Sequence, residues 1–215
     1  MIDLHTHSLF SDGELLPSEL VRRLEDMEYS CVAITDHVDS SNLDFVITRV
    51  VKVARDLNQT QSVKVIPGVE ITHVHPELIE SLVSQARKLG AKIVIAHGET
   101  IVEPVTEGTN RAAILSEVDI LAHPGLITIE DVIMAAEKGV YLEISARQGH
   151  CLTNGYVAQI AKEYGAKLVL NSDAHCPRDL MTRQFARMIA HGTGLGENAL
   201  EEMLGNSREL IKKIL

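Results

Sequence analysis

Short apolar runs alternate with longer amphipathic stretches along most of the 215 residues. The runs Ile2–His5, Cys31–Thr35, Val63–Ile66 (leading on to Glu70), Lys92–Ala96, Asp119–Ala122, Val140–Ile144 and Lys167–Leu170 are rich in β-branched residues and bounded by Gly, Pro or polar residues. Runs this short and this uniformly apolar predict parallel strands buried on both faces. Between them, Pro17–Glu28 places Leu20, Val21, Leu24 and Met27 at helical spacing behind a proline suited to a first turn. Asn42–Leu57, Pro76–Leu89, Thr128–Lys138 and Tyr156–Tyr164 repeat the pattern, and Gly90, Gly139 and Gly165 stop three of them. A C-terminal helical segment is expected through Asp179–His191 and Glu197–Leu215.

Seven β/α units with right-handed crossovers predict an α/β fold, a distorted seven-stranded (β/α)7 TIM-like barrel. An open doubly wound sheet is the alternative, since alternation alone does not prove closure. No linker or shift of composition breaks the chain. One domain over residues 1–215 is therefore expected, with C-terminal helices from about 179.

Composition sharpens the picture in three places. Aromatic residues are 3% of the chain and Trp is absent, so Val, Ile, Leu and Ala must build the core. The net charge of -10, without a basic run, argues against a long nucleic-acid partner. The three cysteines, Cys31, Cys151 and Cys176, match no zinc-ribbon or disulfide framework. With no signal-like start and no apolar stretch long enough for a membrane span, these features predict a cytoplasmic protein.

The chemistry lies where each strand stops. The first ends in His5-Thr6-His7 and leads to Ser11-Asp12-Gly13, the second in Asp36-His37, and the third in Gly68-Val69-Glu70. The fourth delivers His97-Gly98-Glu99 and the fifth His123-Pro124-Gly125. The sixth carries Glu143 and Ser145 toward Arg147, and the seventh gives Ser172-Asp173-Ala174-His175. Six of the ten histidines sit at these ends, which converge on one face of a β/α barrel. Residues two apart on a strand point the same way, so His5/His7 and Asp173/His175 form two ligand pairs. Imidazole with carboxylate suits Zn, Mn or Fe.

A single buried histidine is usually a hydrogen-bonded core residue. Six of them at strand ends would bury many unpaired polar groups, which is costly. His73 and His75 form another His-x-His, but in a polar link that favours a loop role. His150 lies in the loop after the sixth strand, where it could touch substrate, and His191 lies on an expected surface helix. Asp36 and Glu99 flank ligands and could orient imidazoles. Cys176 follows His175 without a fitting base.

These motifs, Asp-Leu-His-Thr-His-Ser with Ser-Asp-Gly, then Ile-Thr-Asp-His, Gly-Val-Glu-Ile, Ala-His-Gly-Glu, Leu-Ala-His-Pro-Gly and Asn-Ser-Asp-Ala-His, resemble the PHP (polymerase and histidinol phosphatase) family. The resemblance runs in order from about residue 1 to 190 and is to the stand-alone members. It implies a distorted seven-stranded barrel holding two or three divalent ions. By the resemblance, His5, His7, Glu70 and Asp173 hold one ion, and Glu70 bridges to a second held by His97 and His123. Asp12, His37 and His175 hold the third, with Asp12 standing where some family members carry His.

The resemblance and the ligand set together imply hydrolysis of a phosphate ester, histidinol-phosphatase-like, on a small phosphorylated substrate. Bound cations would supply a metal-bound hydroxide near neutral pH. Asp173 and His175 are the expected catalytic ligands, and Arg147 and Arg178, with Arg111 behind them, the candidate phosphate clamps. Three other readings remain open at this point: a phosphodiesterase or nuclease acting on small nucleotides or oligonucleotides, an amidohydrolase-type barrel, and a non-catalytic metal-binding regulatory module. An amidohydrolase would normally show eight strands and a bridging Lys at the fourth, where this chain has His97.

Overall fold

A computed structural model describes all 215 residues. Eight strand segments lie parallel: β1 (Ile2–Asp3), β2 (Cys31–Ile34), β3 (His37–Val38), β4 (Lys64–Ile71), β5 (Ile93–His97), β6 (Ile120–Ala122), β7 (Tyr141–Ser145) and β8 (Leu168–Asn171). β2 and β3 are one strand interrupted at Thr35 and Asp36. Both pair with β4 in a single unbroken register, from Cys31 opposite Lys64 to His37 opposite Glu70. The spatial order is β1-β2-β4-β5-β6-β7-β8, the order of the chain itself.

The ends of that order meet. Thr6 bridges Ala174, His7 N–H donates to Ala174 O at 2.9 Å, and Asp173 N–H donates to His5 O at 3.0 Å. Below this seam the Asn171 side chain takes the place of a backbone partner, accepting Leu4 N–H at 2.9 Å. The sheet is therefore a nearly closed barrel of seven parallel strands, and the open doubly wound alternative is set aside.

Eight helices surround it: α1 (Pro17–Asp26), α2 (Leu43–Leu57), α3 (Pro76–Lys88), α4 (Thr109–Leu115), α5 (Ile129–Lys138), α6 (Asn154–Tyr164), α7 (Arg183–Gly192) and α8 (Ala199–Ile214). Thr128 and Thr182 cap α5 and α7 through their hydroxyls, and Gly139 and Gly165 end α5 and α6 in the left-handed conformation. α8 lies against β1 and β8, where Asn206 Nδ2 donates to Leu168 O at 2.8 Å. It covers the seam from outside.

Two expectations need correction. The segment from Asp179 is not helical throughout, because Pro177–Asp179 forms a tight 3-10 turn and α7 starts only at Arg183. The Asp179 carboxylate instead accepts the backbone N–H groups of His175 and Cys176, at 3.0 and 3.1 Å. The seven-residue α4 was not anticipated, being too short for a periodic signal. The core is a continuous cluster of Ile, Val, Leu and Ala from every strand and the inner helix faces, with no Trp and no Phe among its buried members.

Candidate metal centre

The strand order brings the expected side chains to one end of the barrel. His5 and His7 follow β1, His37 opens β3, Glu70 stands near the end of β4, and His97 closes β5. His123 follows β6, Asp173 and His175 follow β8, and Asp12 reaches in from the loop after β1. A cleft of about 380 Å³ opens here, and none of its 13 lining residues is hydrophobic. Behind the lining, His5, Glu70 and His7 are at most 1% exposed.

The deepest atoms are packed closely. His5 Nε2 lies 3.2 Å from Glu70 Oε2, and His7 Nε2 lies 3.2 Å from Asp173 Oδ1. His123 Nε2 lies 3.6 Å from Glu70 Oε1 and 3.7 Å from Asp173 Oδ2. At the mouth, Asp12 Oδ1 stands 3.2 Å from His175 Nε2 and 3.5 Å from His37 Nε2. Four groups of ligand atoms emerge: His5, His7 and Asp173; His7, Asp12, His37 and His175; His97, His123 and His150; and His73, His97 and Glu103.

The rings are aimed from behind. Nδ1 of His5 bonds Glu143 at 2.8 Å, His37 Nδ1 bonds Thr72 Oγ1 at 2.7 Å, and His97 Nδ1 donates to Gly98 O at 3.2 Å. His150 Nδ1 bonds Thr100 Oγ1 at 2.9 Å. Each contact engages one ring nitrogen and leaves Nε2 for the cleft, the arrangement that orients metal-binding histidines. Meanwhile His5 Nε2, both nitrogens of His7, both carboxylate oxygens of Glu70, His123 Nδ1 and Asp173 Oδ1 are buried without a hydrogen bond. Such atoms are expensive to bury unless something pairs them. A cluster of imidazole and carboxylate donors is the chemistry that fits divalent ions.

The backbone is bent to suit. His123 and Asp173 adopt positive φ values of 27° and 53°, uncommon for residues with a side chain. Next to them, glycines let two loops meet. A Cβ at Gly98 would come within 2.2 Å of Ala122 O, and at Gly125, where φ is +65°, within 1.8 Å of Glu99 O.

Electrostatics follow from burial and crowding. Burial pushes the Asp173 carboxyl up, against the lowering influence of His5 and His123. For Glu70, burial is outweighed by His5 and His37, and its carboxyl is held well below the usual range. Burial and the charge of His37 hold His7 well below an ordinary histidine. His5 moves the opposite way, because Glu143, Glu70 and Asp173 together overcome its burial.

The remaining candidates divide. Arg147 lines the cleft, its Nη1 3.2 Å from Asp173 O. Arg178, expected as a second phosphate clamp, has a side chain 89% exposed and lines an adjoining groove with Glu14, Gln148 and Asp179 rather than the cleft itself. Arg111 is tied to Asp131 at 2.7 Å, joining α4 to α5. Asp36 and Glu99 orient no imidazole. Asp36 accepts from Ser8 N, Ser8 Oγ and Ser11 Oγ, pinning the loop after β1, while Glu99 accepts Asn110 N–H. Of the second His-x-His, His73 lines the cleft and His75 caps α3 by accepting Glu77 N–H.

Two carboxylates at the site carry no role in the sequence reading, Glu143 standing there only as part of the sixth strand and Glu103 not at all. Glu143 is fully buried and accepts from Asn171 Nδ2 and His123 N–H besides meeting His5. Its signal was present, since a charge inside the apolar run of β7 must have partners. Glu103, in the loop after β5, lies 3.0 Å from His97 Nε2. Nothing in that polar loop distinguished it.

A buried cluster of nitrogen and oxygen donors at the strand ends of a parallel β/α barrel has the chemistry of a divalent-metal centre. The family model described as PHP domain matches residues 3–117, more than half of the chain, and the protein belongs to the PHP domain family. An uncharacterized protein of Methanocaldococcus jannaschii is 46% identical over 215 residues, 99% of each chain. A Thermoanaerobacter protein named probable phosphatase is 28% identical over 241 residues, covering 99% of this chain and 95% of its own. Among solved structures, a Listeria monocytogenes protein named as a proposed histidinol phosphatase aligns with a TM-score of 0.58 at 11% identity, over 84% of this chain and 97% of that one. A Xaa-Pro dipeptidase aligns with a TM-score of 0.70 at 11% identity, over 99% and 75%. At such identity these two describe the fold alone.

Proposed function

We propose that the protein is a phosphoesterase that hydrolyses small phosphate monoesters at a centre of two or three divalent ions. The carrying observation is the crowding of unpartnered, buried atoms of His5, His7, Glu70 and Asp173 on the cleft floor, with His5 Nε2 3.2 Å from Glu70 Oε2, His7 Nε2 3.2 Å from Asp173 Oδ1, and His123 Nε2 3.6 Å from Glu70 Oε1. His5, His7, Glu70 and Asp173 would hold one ion, Glu70, His97 and His123 a second, and Asp12, His37 and His175 a third. The close groupings of His5/His7/Asp173 and of Asp12/His37/His175 support this division. Zn, Mn and Fe all suit the donor set. The phosphatase name of the Thermoanaerobacter protein points to the same substrate class.

When bound, such ions neutralise phosphoryl oxygens and lower the pKa of a water toward neutrality. The residues do the rest. Arg147 presents a permanently charged fork at the cleft edge, suited to a phosphoryl oxygen. Glu143 and Thr72 fix the rings of His5 and His37, so that the ligand set needs little reorganisation. The polar lining favours a hydrated phosphoryl group over an apolar one. Residues 1–215 would act as one domain. Three free cysteines fit a reducing compartment such as the cytoplasm, and no helix is long and apolar enough to cross a membrane.

The test is metal analysis of the purified protein, with turnover of p-nitrophenyl phosphate and of a dinucleotide measured before and after chelation. Two or three ions per chain, with chelator-sensitive phosphate release from the monoester, are expected. Preferred cleavage of the dinucleotide would make it a diesterase, and a metal-loaded protein inert on both would overturn the proposal.

A further inference from the structure

Three polar side chains in the cleft lie outside the ligand set just assigned. They come from different loops: His73 after β4, Glu103 after β5 and His150 after β7. They meet at His97. Glu103 Oε2 stands 3.0 Å from His97 Nε2 and 3.1 Å from His73 Nε2, while Glu103 Oε1 stands 3.5 Å from His150 Nε2. Three imidazoles thus turn their Nε2 atoms toward one carboxylate.

Hydrogen bonding limits what those nitrogens can be. Gly98 O can only accept, so His97 carries its proton on Nδ1 and, when neutral, offers a lone pair at Nε2. A lone pair facing a carboxylate oxygen at 3.0 Å is repulsive unless a proton or a metal cation lies between them. Two donors each 2.0–2.2 Å from one ion are separated by about 3.0 Å along an octahedral edge and about 3.4 Å along a tetrahedral one. The observed separations bracket that span. His73 adds a sign of its own, being held at φ 52° where its ring approaches that of His97 to a 4.8 Å centroid distance. Strain in a residue with a side chain persists only where the surroundings impose it.

We infer that Glu103 and His73 are ligands of the divalent ion held by His97, and that His150 closes the same site from the opposite side. The inference rests on the reading of His97 as a metal ligand and adds to it. The ion at this end would have a nitrogen-rich set with one carboxylate from a loop in addition to the shared Glu70. Because Glu103 sits in the loop over the cleft, the hold on this ion is set by residues separate from the deep ligands His5, His7 and Asp173.

The experiment compares the full-length parental protein with Glu103→Gln and His73→Asn, the latter chosen because Asn tolerates the left-handed backbone. His75→Gln serves as the control. Each apo protein is refilled with Co²⁺ or Mn²⁺. Ions per chain are counted during titration with a competing chelator, and the visible spectrum of the Co²⁺ form is recorded. In both variants one ion per chain should be released roughly tenfold or more readily, the range by which even indirect partners alter metal affinity. The other ions should leave as in the parental protein, and the cobalt spectrum should change. His75→Gln should match the parental curve. Identical release curves and spectra for Glu103→Gln and the parental protein would overturn the inference and reduce Glu103 to an ion-pair partner. A parental protein that takes up no ion would overturn the reading of His97 as a ligand, and the inference with it.

Discussion

Arg147 Nη1 stands 2.6 Å from Nδ1 of His175 and 3.2 Å from the carbonyl oxygen of Asp173. A guanidinium only donates, so in this arrangement His175 Nδ1 accepts and its proton sits on Nε2, facing Asp12. Were Arg147 to turn to a phosphoryl oxygen, as the proposed function requires, His175 Nδ1 would be free to hold the proton and donate to Asp173 O, 2.9 Å away. Nε2 would then offer a lone pair to an ion. On the proposed function, substrate capture and the readiness of one ligand would be joined through this single side chain.

Arg147→Lys should therefore raise KM for a phosphomonoester by about 10- to 100-fold, the equivalent of a charged hydrogen bond worth about 1.5–3 kcal/mol. Lysine keeps the charge but not the fork. Steady-state kinetics check this, and an unchanged KM would remove Arg147 from substrate binding.

Glu143 is the buried carboxylate that holds His5 Nδ1, Asn171 Nδ2 and His123 N–H together. Glu143→Gln preserves its shape but weakens its grip on the His5 ring. Metal affinity should fall by about 10- to 100-fold with the fold retained. Isothermal titration of the apo variant with Zn²⁺ measures it directly, circular dichroism reports the fold, and parental affinity would contradict the role.

Metal binding should also appear as stability. The deep donors find their partners only when cations bind, so apo protein should melt below the loaded form. Each ion contributes about 2.7 kcal/mol at a concentration of a hundred times its Kd. His7→Ala and Asp173→Ala should abolish turnover and lose part of that gain while remaining folded. Calorimetry with and without added ion provides the comparison, and a parental melting temperature indifferent to metal would argue against the centre.

Away from the site, Glu25 on α1 accepts from Ser62 N, Ser62 Oγ and Arg22 Nη1. The Ser62 bonds and the arginine pull its pKa from 4.5 down to about 2. The folded state thus binds fewer protons than the unfolded chain between those values. The resulting stabilisation is present above about pH 4.5 and is lost as pH falls toward 2. The melting temperature of the parental protein should exceed that of Glu25→Gln near neutrality, with the gap closing in acid. A gap that stays constant with pH would show that the clasp is not electrostatic.

Strand positions were legible because each buried strand must be apolar over its whole length, and Cys31–Ile34 or Ile93–His97 could hardly read otherwise. That imidazoles and carboxylates stand at the strand ends was legible for a related reason, since His, Asp and Glu at the ends of such runs contradict burial unless they are paired; Asp12, in a loop, entered the set only through the family resemblance. What escaped was short or irregular. The interruption of one strand at Thr35 and Asp36 leaves no hydrophobic trace, and α4 is too brief to show a period. Asp36 and Glu99 stood beside ligands in sequence, yet they hold the N–H and hydroxyl groups of neighbouring loops. Adjacency along the chain does not say which way a side chain turns once the backbone leaves the strand.

The sequence by itself determined that seven apolar strands alternate with helices and that imidazoles and carboxylates gather at their ends, because both properties are periodic and local. Only the tertiary structure decided that Glu103, His73 and His150 reach His97 from three separate loops, and that Arg147 faces the cleft while Arg178 lies outside it. Loop side chains have no repeating geometry to fix their direction. Their meeting points depend on barrel closure at Thr6 and Ala174 and on the packing of each loop against the next.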